Sequence, residues 1–281
     1  MINRQSIKER AKIAFTNFYW PHVGIFAILG MIAGGASGLS SFSGSVSNIN
    51  NTGAGNLDIP PQIAAVIAVI AIFAGLIGVA YAIFVAGPVQ ISGARIGLKA
   101  YRGEKPDFRN LIYCVREGRY WKCVGTMALV TLFLGLAITV PMVIVSAIAA
   151  VVFAVTLAGT EATAGVIAGG IALMILAMFA AMIPGLIVSY GLSQTQYVAA
   201  DEGVYGMEAL RRSWDMMHGH KWERFVFGLS FIGWVMLIAL SFGVVGIFYA
   251  GPYMNISYAG YYHELTGGDR EPVAEDAVIL Q

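Results

Sequence analysis

The sequence predicts an all-α membrane protein, and three observations carry that prediction. Of its 281 residues, 58% are hydrophobic and only 12% are charged, with a mean hydropathy of +0.72. A soluble domain is about 45–50% apolar and about 25% charged, so this chain cannot cover itself against water. Its apolar residues are gathered into runs long enough to cross a bilayer, for which about 18 or more suffice. Its basic residues fall in alternate connections only, the asymmetry that orients membrane proteins.

The expected architecture has six transmembrane helices: about Val23–Leu39, Ile63–Gly93, Val124–Ala158, Gly165–Ala200, Phe225–Gly243 and Val244–Tyr262. The first run starts near His22, after a leader with helical pattern, and reads as a retained helix more than as a cleaved signal peptide, although Ala33–Ser37 is rich in small residues. The third and fourth runs hold about 35 residues each, about 52 Å of helix against about 30 Å of hydrocarbon. They must tilt, kink or project, and Pro141 and Pro184 are the expected kink sites. Little more than a turn separates the last two runs.

All 17 Lys and Arg lie before the first run, between the second and third, between the fourth and fifth, or after the sixth, while Asp58 and Glu161 are the only charges in the opposite connections. Both termini are therefore expected in the cytoplasm, with the protein in the membrane that bounds it. The net charge of +1 gives no reason to expect nucleic acid. Cys114 and Cys123 lie near the basic face, where thiols stay reduced, and are expected to be structural thiols.

A membrane border recurs three times: NFYWPHVG at Asn17–Gly24, RYWKCVG at Arg119–Gly125 and HKWERFVFG at His220–Gly228. Trp20, Trp121 and Trp222 are expected at headgroup level, with Lys122, Lys221 and Arg224 facing lipid phosphates. An amphipathic stretch precedes each border. The first puts Ile7, Ala11, Ala14, Phe15 and Phe18 on one face, with Ser6 and Glu9 spaced as a capping box. The second offers Phe108, Leu111, Ile112 and Val115 after Pro106-Asp107, and the third Met207, Leu210, Trp214 and Met217. Each returning segment carries a Pro-Gly pair, in Gly87-Pro88, Pro184-Gly185 and Gly251-Pro252, so Pro88 and Pro252 join the expected kinks.

These recurrences predict one polytopic domain over 1–281, built of three parallel pseudo-repeats at about 1–103, 104–203 and 204–268 with a tail at 269–281. Each unit is an amphipathic cytoplasmic helix followed by a transmembrane hairpin. Repeats that begin and end on one face are parallel, unlike the inverted repeats of many transporters.

GHKWERFVFGLSFIGW and the following GPYMNISYAGYYHEL resemble the C-terminal signature of an uncharacterised bacterial membrane family, domain of unknown function 975. INRQSIKERAKIAF and ISGARIGLKAYRGEKPDF resemble it too. The Gly/Ser-rich outer loop and the long third and fourth segments depart from the family pattern. The resemblance implies a multi-helix membrane protein and brings no catalytic residues.

The runs contain essentially no ionisable side chain, which speaks against a proton-coupled pump. Their polar groups are mild: Gln90, Ser92, Ser189, Gln194, Gln196, Asn255 and Ser257. Gln90, Ser92, Asn255 and Ser257 lie just past the Gly-Pro pairs, and with Ser189 and Gln194 they make a candidate polar vestibule for the head of an amphiphile. The competing reading is ordinary hydrogen bonding between helices. Asp215, His218 and His220 cluster in sequence, but histidines two apart do not share a helical face, so no metal is expected; the histidines suit a helix C-terminus. HExxH, GxSxG and Walker patterns are absent, and neither an enzyme nor a cofactor is expected.

The Ser40–Ile59 loop reads as a solvated linker more than a ligand loop. Gly34-Gly35 and Gly169-Gly170 permit close helix approach, within the chain or to another copy or membrane protein. The sequence therefore favours a lipid- or amphiphile-handling protein. The alternative is a scaffold, complex-assembly or immunity subunit acting through protein partners, and a homo-oligomeric channel is disfavoured by the lack of a charged pore ring.

Overall fold

The computed structural model describes residues 4–32, 61–105, 107–116, 118–159 and 164–267, and among them every regular element is helical. In chain order these are α1 (Arg4–Asn17) and α2 (Tyr19–Ile32), set at 98° to each other, then α3 (Pro61–Tyr81) and α4 (Gly87–Tyr101), joined by one π-turn. A 3₁₀ turn (Phe108–Ile112) leads into α5 (Tyr113–Arg116), followed by α6 (Tyr120–Gly159), α7 (Ala164–Gly191) and α8 (Thr195–Asp201). The last group is α9 (Met207–Met216), α10 (Lys221–Leu229), α11 (Ile232–Leu240), a second π-turn and α12 (Gly251–Leu265). The Ser40–Ile59 loop, Gly34-Gly35 and the 269–281 tail lie outside the described residues.

Three stretches are long and apolar enough to cross a membrane: Ala65–Tyr101, Tyr120–Ala154 and Gly169–Asp201. The number rises to five if α1–α2 and α10–α11, the latter bent by 41°, each count as one span. The second apolar run is longer than its hydropathy suggests, because α4 continues past Gly93 and carries Arg95 and Lys99 on its last turns.

The buried core lies at the basic end of the bundle. It is built from α1, α2, α4, α5, the start of α6, α8, α9, the α10–α11 joint and α12. Beyond that end the long helices present apolar side chains outward: Phe73, Leu76, Val143, Val151, Leu176 and Phe179 are all exposed. This division follows from the solvent. Apolar burial is driven only where water is the alternative, whereas in hydrocarbon an exposed Leu or Val costs nothing.

The returning helices meet at one level. Arg102, just past α4, donates two bonds of 2.8 and 2.9 Å to Asp201 at the end of α8. Tyr262 of α12 donates to Glu202 at 3.1 Å, and the Tyr101 ring packs edge-on against His263 at 5.5 Å.

Each Pro-Gly pair marks a close approach. At Gly87 a methyl would meet Met127 Cβ at 2.7 Å, at Gly185 it would meet Ile138 Cγ1 at 2.6 Å, and at Gly251 it would meet the Gly246 carbonyl at 2.5 Å. The helices run on through Pro141 and Pro184. At Pro88 and Pro252 the local irregularity is the π-turn just before: Gly87 N–H donates to Ala82 O and Gly251 N–H to Gly246 O, each five residues back. A widened turn there makes room for the ring that follows.

Three sequence expectations change. Ser6 already lies within helix α1, past the N-cap position that a capping box would give it. Phe108, Ile112 and Val115 are exposed, while Tyr113 and Cys114 face the core. The 3₁₀ turn, at three residues per turn, shifts the phase that an α-helical reading assumes. Cys114 and Cys123, expected as free thiols, are joined in a disulfide. The turn at Gly118, with φ of 66°, folds α5 back on the start of α6 and brings their Cα atoms to 6.3 Å.

Helix α1 keeps its expected face. Ile7, Ala11, Ala14 and Phe15 are buried and pack on α12 and α4, so this helix docks under the bundle. Of the third amphipathic face, Leu210 and Met217 are buried.

Candidate functional site

A groove of about 400 Å³ lies between α2, α4 and the π-turn and start of α12, within the usual range of small-molecule sites. Its polar side chains are three amides. Gln90 comes from α4, Gln196 from α8 and Asn255 from α12, one from each returning helix. Its other walls are apolar or bare backbone, with Phe26, Leu29, Val89 and Ile247 beside the glycines of α12 and its π-turn.

Local sequence explains how the amides converge. The π-turns and Gly-Pro pairs set the phase of α4 and α12 just before Gln90 and Asn255. The turn at 192–194 restarts the second returning helix as α8, with Gln196 in its first turn. Asn255 is further fixed by Gly97, whose lack of a side chain makes space for its amide oxygen. That oxygen is buried and has no hydrogen-bond partner. An unmet buried acceptor costs about 1–3 kcal/mol, and this one is enclosed against Gly97, which is not part of the groove wall.

No charged side chain lines the groove. Burying a bare charge there would be costly, so its chemistry suits an uncharged hydrogen-bonding head with an apolar tail. A smaller cavity of about 170 Å³ shares Gln90 and Gln196 and adds Ser189, Ser193 and Thr195.

The other vestibule candidates go elsewhere. Ser92 donates to Pro88 O at 3.1 Å and Ser257 to Tyr253 O at 2.8 Å, both within their own helix. Gln194 is buried at the α7–α9 joint, where its N–H donates to Ser213 Oγ at 3.1 Å and its side chain to Ser193 at 3.3 Å. Gln196, which the sequence pattern does not join to the vestibule, stands in the groove.

At the borders, Trp20, Trp121 and Trp222 are 75%, 72% and 71% exposed, which puts all three on the outer surface. Tyr120 donates to Phe84 O at 2.7 Å, capping a carbonyl of the first π-turn, and Trp121 packs edge-on against Phe84. Lys122 is exposed at the edge of an open depression of about 800 Å³ between α6 and the 203–206 turn. Lys221 and Arg224 turn toward aromatic faces instead of outward. Lys221 Nζ sits 3.7 Å from the Trp214 ring centroid, and the Arg224 guanidinium 4.0 Å from that of Tyr258. Among the described residues no group of three His, Cys, Asp or Glu converges, and His220 Nδ1 pairs with Glu223 at 3.0 Å.

A family model described as protein of unknown function (DUF975) matches residues 1–269. No curated protein and no solved structure matches the chain.

Proposed function

The chain belongs to the family described as protein of unknown function (DUF975), which brings no activity with it, and we propose from its own geometry that it is a non-enzymatic integral membrane protein that binds, and in doing so helps translocate, a lipid or other amphiphile. The observation that carries this reading is the convergence of Gln90, Gln196 and Asn255 in one otherwise apolar groove. The amides hydrogen-bond an uncharged polar head, and Phe26, Leu29 and Ile247 lie along the tail.

The protein sits in the bacterial cytoplasmic membrane with both termini cytoplasmic. The one-sided distribution of its 17 basic residues supports that orientation. Its units are α1 to α4, the 3₁₀ turn to α8, and α9 to α12, three parallel repeats of amphipathic helix and hairpin. The order of elements and the single amide that each returning helix gives the groove support this division. A six-segment count would require α10–α11 and α12 to cross as a full hairpin.

Native mass spectrometry of the protein gently extracted from its own membrane tests the reading. The expected result is one amphiphile retained at fixed stoichiometry and lost in Asn255→Leu and Gln90→Leu variants that still fold. Bare protein in every sample would overturn it.

A second reading, a scaffold or assembly subunit, draws on the open space around Gly169 and Gly170 of α7, where another helix can approach closely. A defined complex with a second protein or a second copy in the same spectra would favour it.

A further inference from the structure

We infer that the third hairpin does not cross the membrane, and that its tip at Ser241–Val245 ends in the hydrocarbon as a wedge among the acyl chains. The three returning helices finish side by side, through the Arg102–Asp201 pair, the Tyr262–Glu202 bond and the Tyr101–His263 contact. From that common level the first spans 37 residues and the second 33. The third has 5 residues in its π-turn and 15 in α12, which makes 20. At 1.5 Å per residue these are about 55, 50 and 30 Å. The third tip therefore stops about 20–25 Å short of the other two. Since α12 from Tyr253 to Tyr262 belongs to the buried core at the basic end, what rises beyond that core is well under the about 20 residues a full crossing needs.

The chemistry of the tip agrees with its height. The connection between α6 and α7 reads TEAT, with a charge, and the first outer connection is rich in Ser, Asn and Gly. The third reads SFGVV. Phe242 is 98% exposed and Leu240 78%. In water such a tip would be a costly apolar projection, whereas in lipid it is solvated.

Backbone inside hydrocarbon must meet its own hydrogen bonds, and the N–H groups of this turn do. Ser241 N–H donates to Leu237 O, Phe242 to Ala239 O, Gly243 to Ile238 O and Val244 to Ser241 O, at 2.8–3.3 Å. Val245 N–H donates to Ser241 Oγ at 3.2 Å, and the Ser241 hydroxyl donates to Ile238 O at 3.1 Å. Ser241, the only polar side chain of the tip, is thus spent on the turn itself. Gly243, with φ of 86°, makes the reversal possible and lines the amide groove. The wedge thereby leaves one side of the groove bordered by lipid.

The inference rests on the membrane reading above, and cysteine labelling separates the two. Phe242→Cys and Val244→Cys are made in the full chain, whose native cysteines are buried and disulfide-bonded; the unsubstituted chain gives the background. Ala164→Cys, at the start of α7, and Thr266→Cys, after α12, report the two faces. A membrane-impermeant maleimide applied to either side of sealed vesicles should label each control from one face only, the faces being opposite. It should label neither tip variant until detergent is added. An environment-sensitive dye attached at position 242 should be quenched by spin-labelled acyl chains. Labelling of either tip variant from one face of intact vesicles overturns the wedge. Both controls labelled from the same face overturn the membrane reading and the wedge with it.

Discussion

Gly97 on α4 and Asn255 on α12 approach so closely that a methyl group on Gly97 would collide with the Asn255 amide oxygen. One helical turn away the relationship reverses: Gly260 on α12 has no room for a methyl because the Tyr101 ring of α4 lies against it. Two glycines facing opposite ways set the distance between these helices and hold one groove amide in place.

Gly97→Ala should therefore destabilise the protein by about 1–3 kcal/mol, the usual cost of overpacking, although alanine is the better helix former by about 1 kcal/mol. Gly260→Ala should behave alike. Gly125→Ala and Gly170→Ala, where nothing lies within 4 Å, should be neutral or mildly stabilising. Thermal unfolding in detergent compares all four. Equal effects at the crowded and the open sites would refute the packing account.

Lys8 of α1 donates to Ser230 O at 3.2 Å, and its ammonium lies 4.5 Å from the Phe231 ring centroid. The contact falls on the break between α10 and α11, where a carbonyl is free for a side chain. Lys8→Met keeps the apolar stem and removes the charge. It should loosen α1 from the bundle, seen as faster amide exchange over residues 4–17 with that of α12 little changed. Unaltered exchange in α1 would show that burial of Ile7, Ala11 and Phe15 suffices to dock it.

The Arg102–Asp201 pair is two-pronged and only partly exposed, and the hydrogen bond to Asp201 is the main reason that the Arg102 guanidinium is held above its ordinary pKa. Surface pairs contribute about 0–1 kcal/mol, and bidentate geometry favours the upper end. A double-mutant cycle of Arg102→Ala with Asp201→Ala should give a coupling of about 1 kcal/mol that shrinks in high salt. A coupling of zero would mean that the returning helices are aligned by their aromatic contacts alone.

Much of this architecture was legible in the sequence because its markers are local. The Trp borders, the Gly-Pro pairs and the i, i+3, i+4 pattern of Ile7, Ala11, Ala14 and Phe15 each identify a helix face or end without long-range information. The second amphipathic face is not legible from an α-helical period, because a 3₁₀ turn changes it. Gln90 and Asn255 were found through the Gly-Pro pairs before them. Gln196 carries no such marker, because its own pair, Pro184-Gly185, lies more than two turns upstream and the intervening turn resets the phase.

The disulfide illustrates the same limit, since a spacing of nine residues carries no signal until the Gly118 turn folds it back. Intact mass of the untreated protein should lie two hydrogens below the reduced value. Maleimide added after denaturation without reductant should find no free thiol. Full labelling at both positions would restore the reading of Cys114 and Cys123 as thiols.

Tyr205, in the turn between α8 and α9, gives the protein an alkaline limit. Its hydroxyl lies 3.4 Å from that of Tyr113, which also accepts from Arg119 at 2.7 Å. Burial, followed by the hydrogen bond to Tyr113, pushes the Tyr205 pKa from 10.0 up to about 12. Below pH 10 the folded and unfolded chains both hold this proton, so its contribution is complete. Between pH 10 and 12 the unfolded chain releases the proton first, and stability falls as pH rises. Tyr205→Phe removes this titration and leaves those of the other tyrosines in place. Its unfolding temperature should therefore decline less steeply over that interval than that of the unsubstituted protein, while below pH 9 the two curves run parallel. Identical slopes above pH 10 would show that the Tyr205 proton is held no more tightly in the fold than in the unfolded chain.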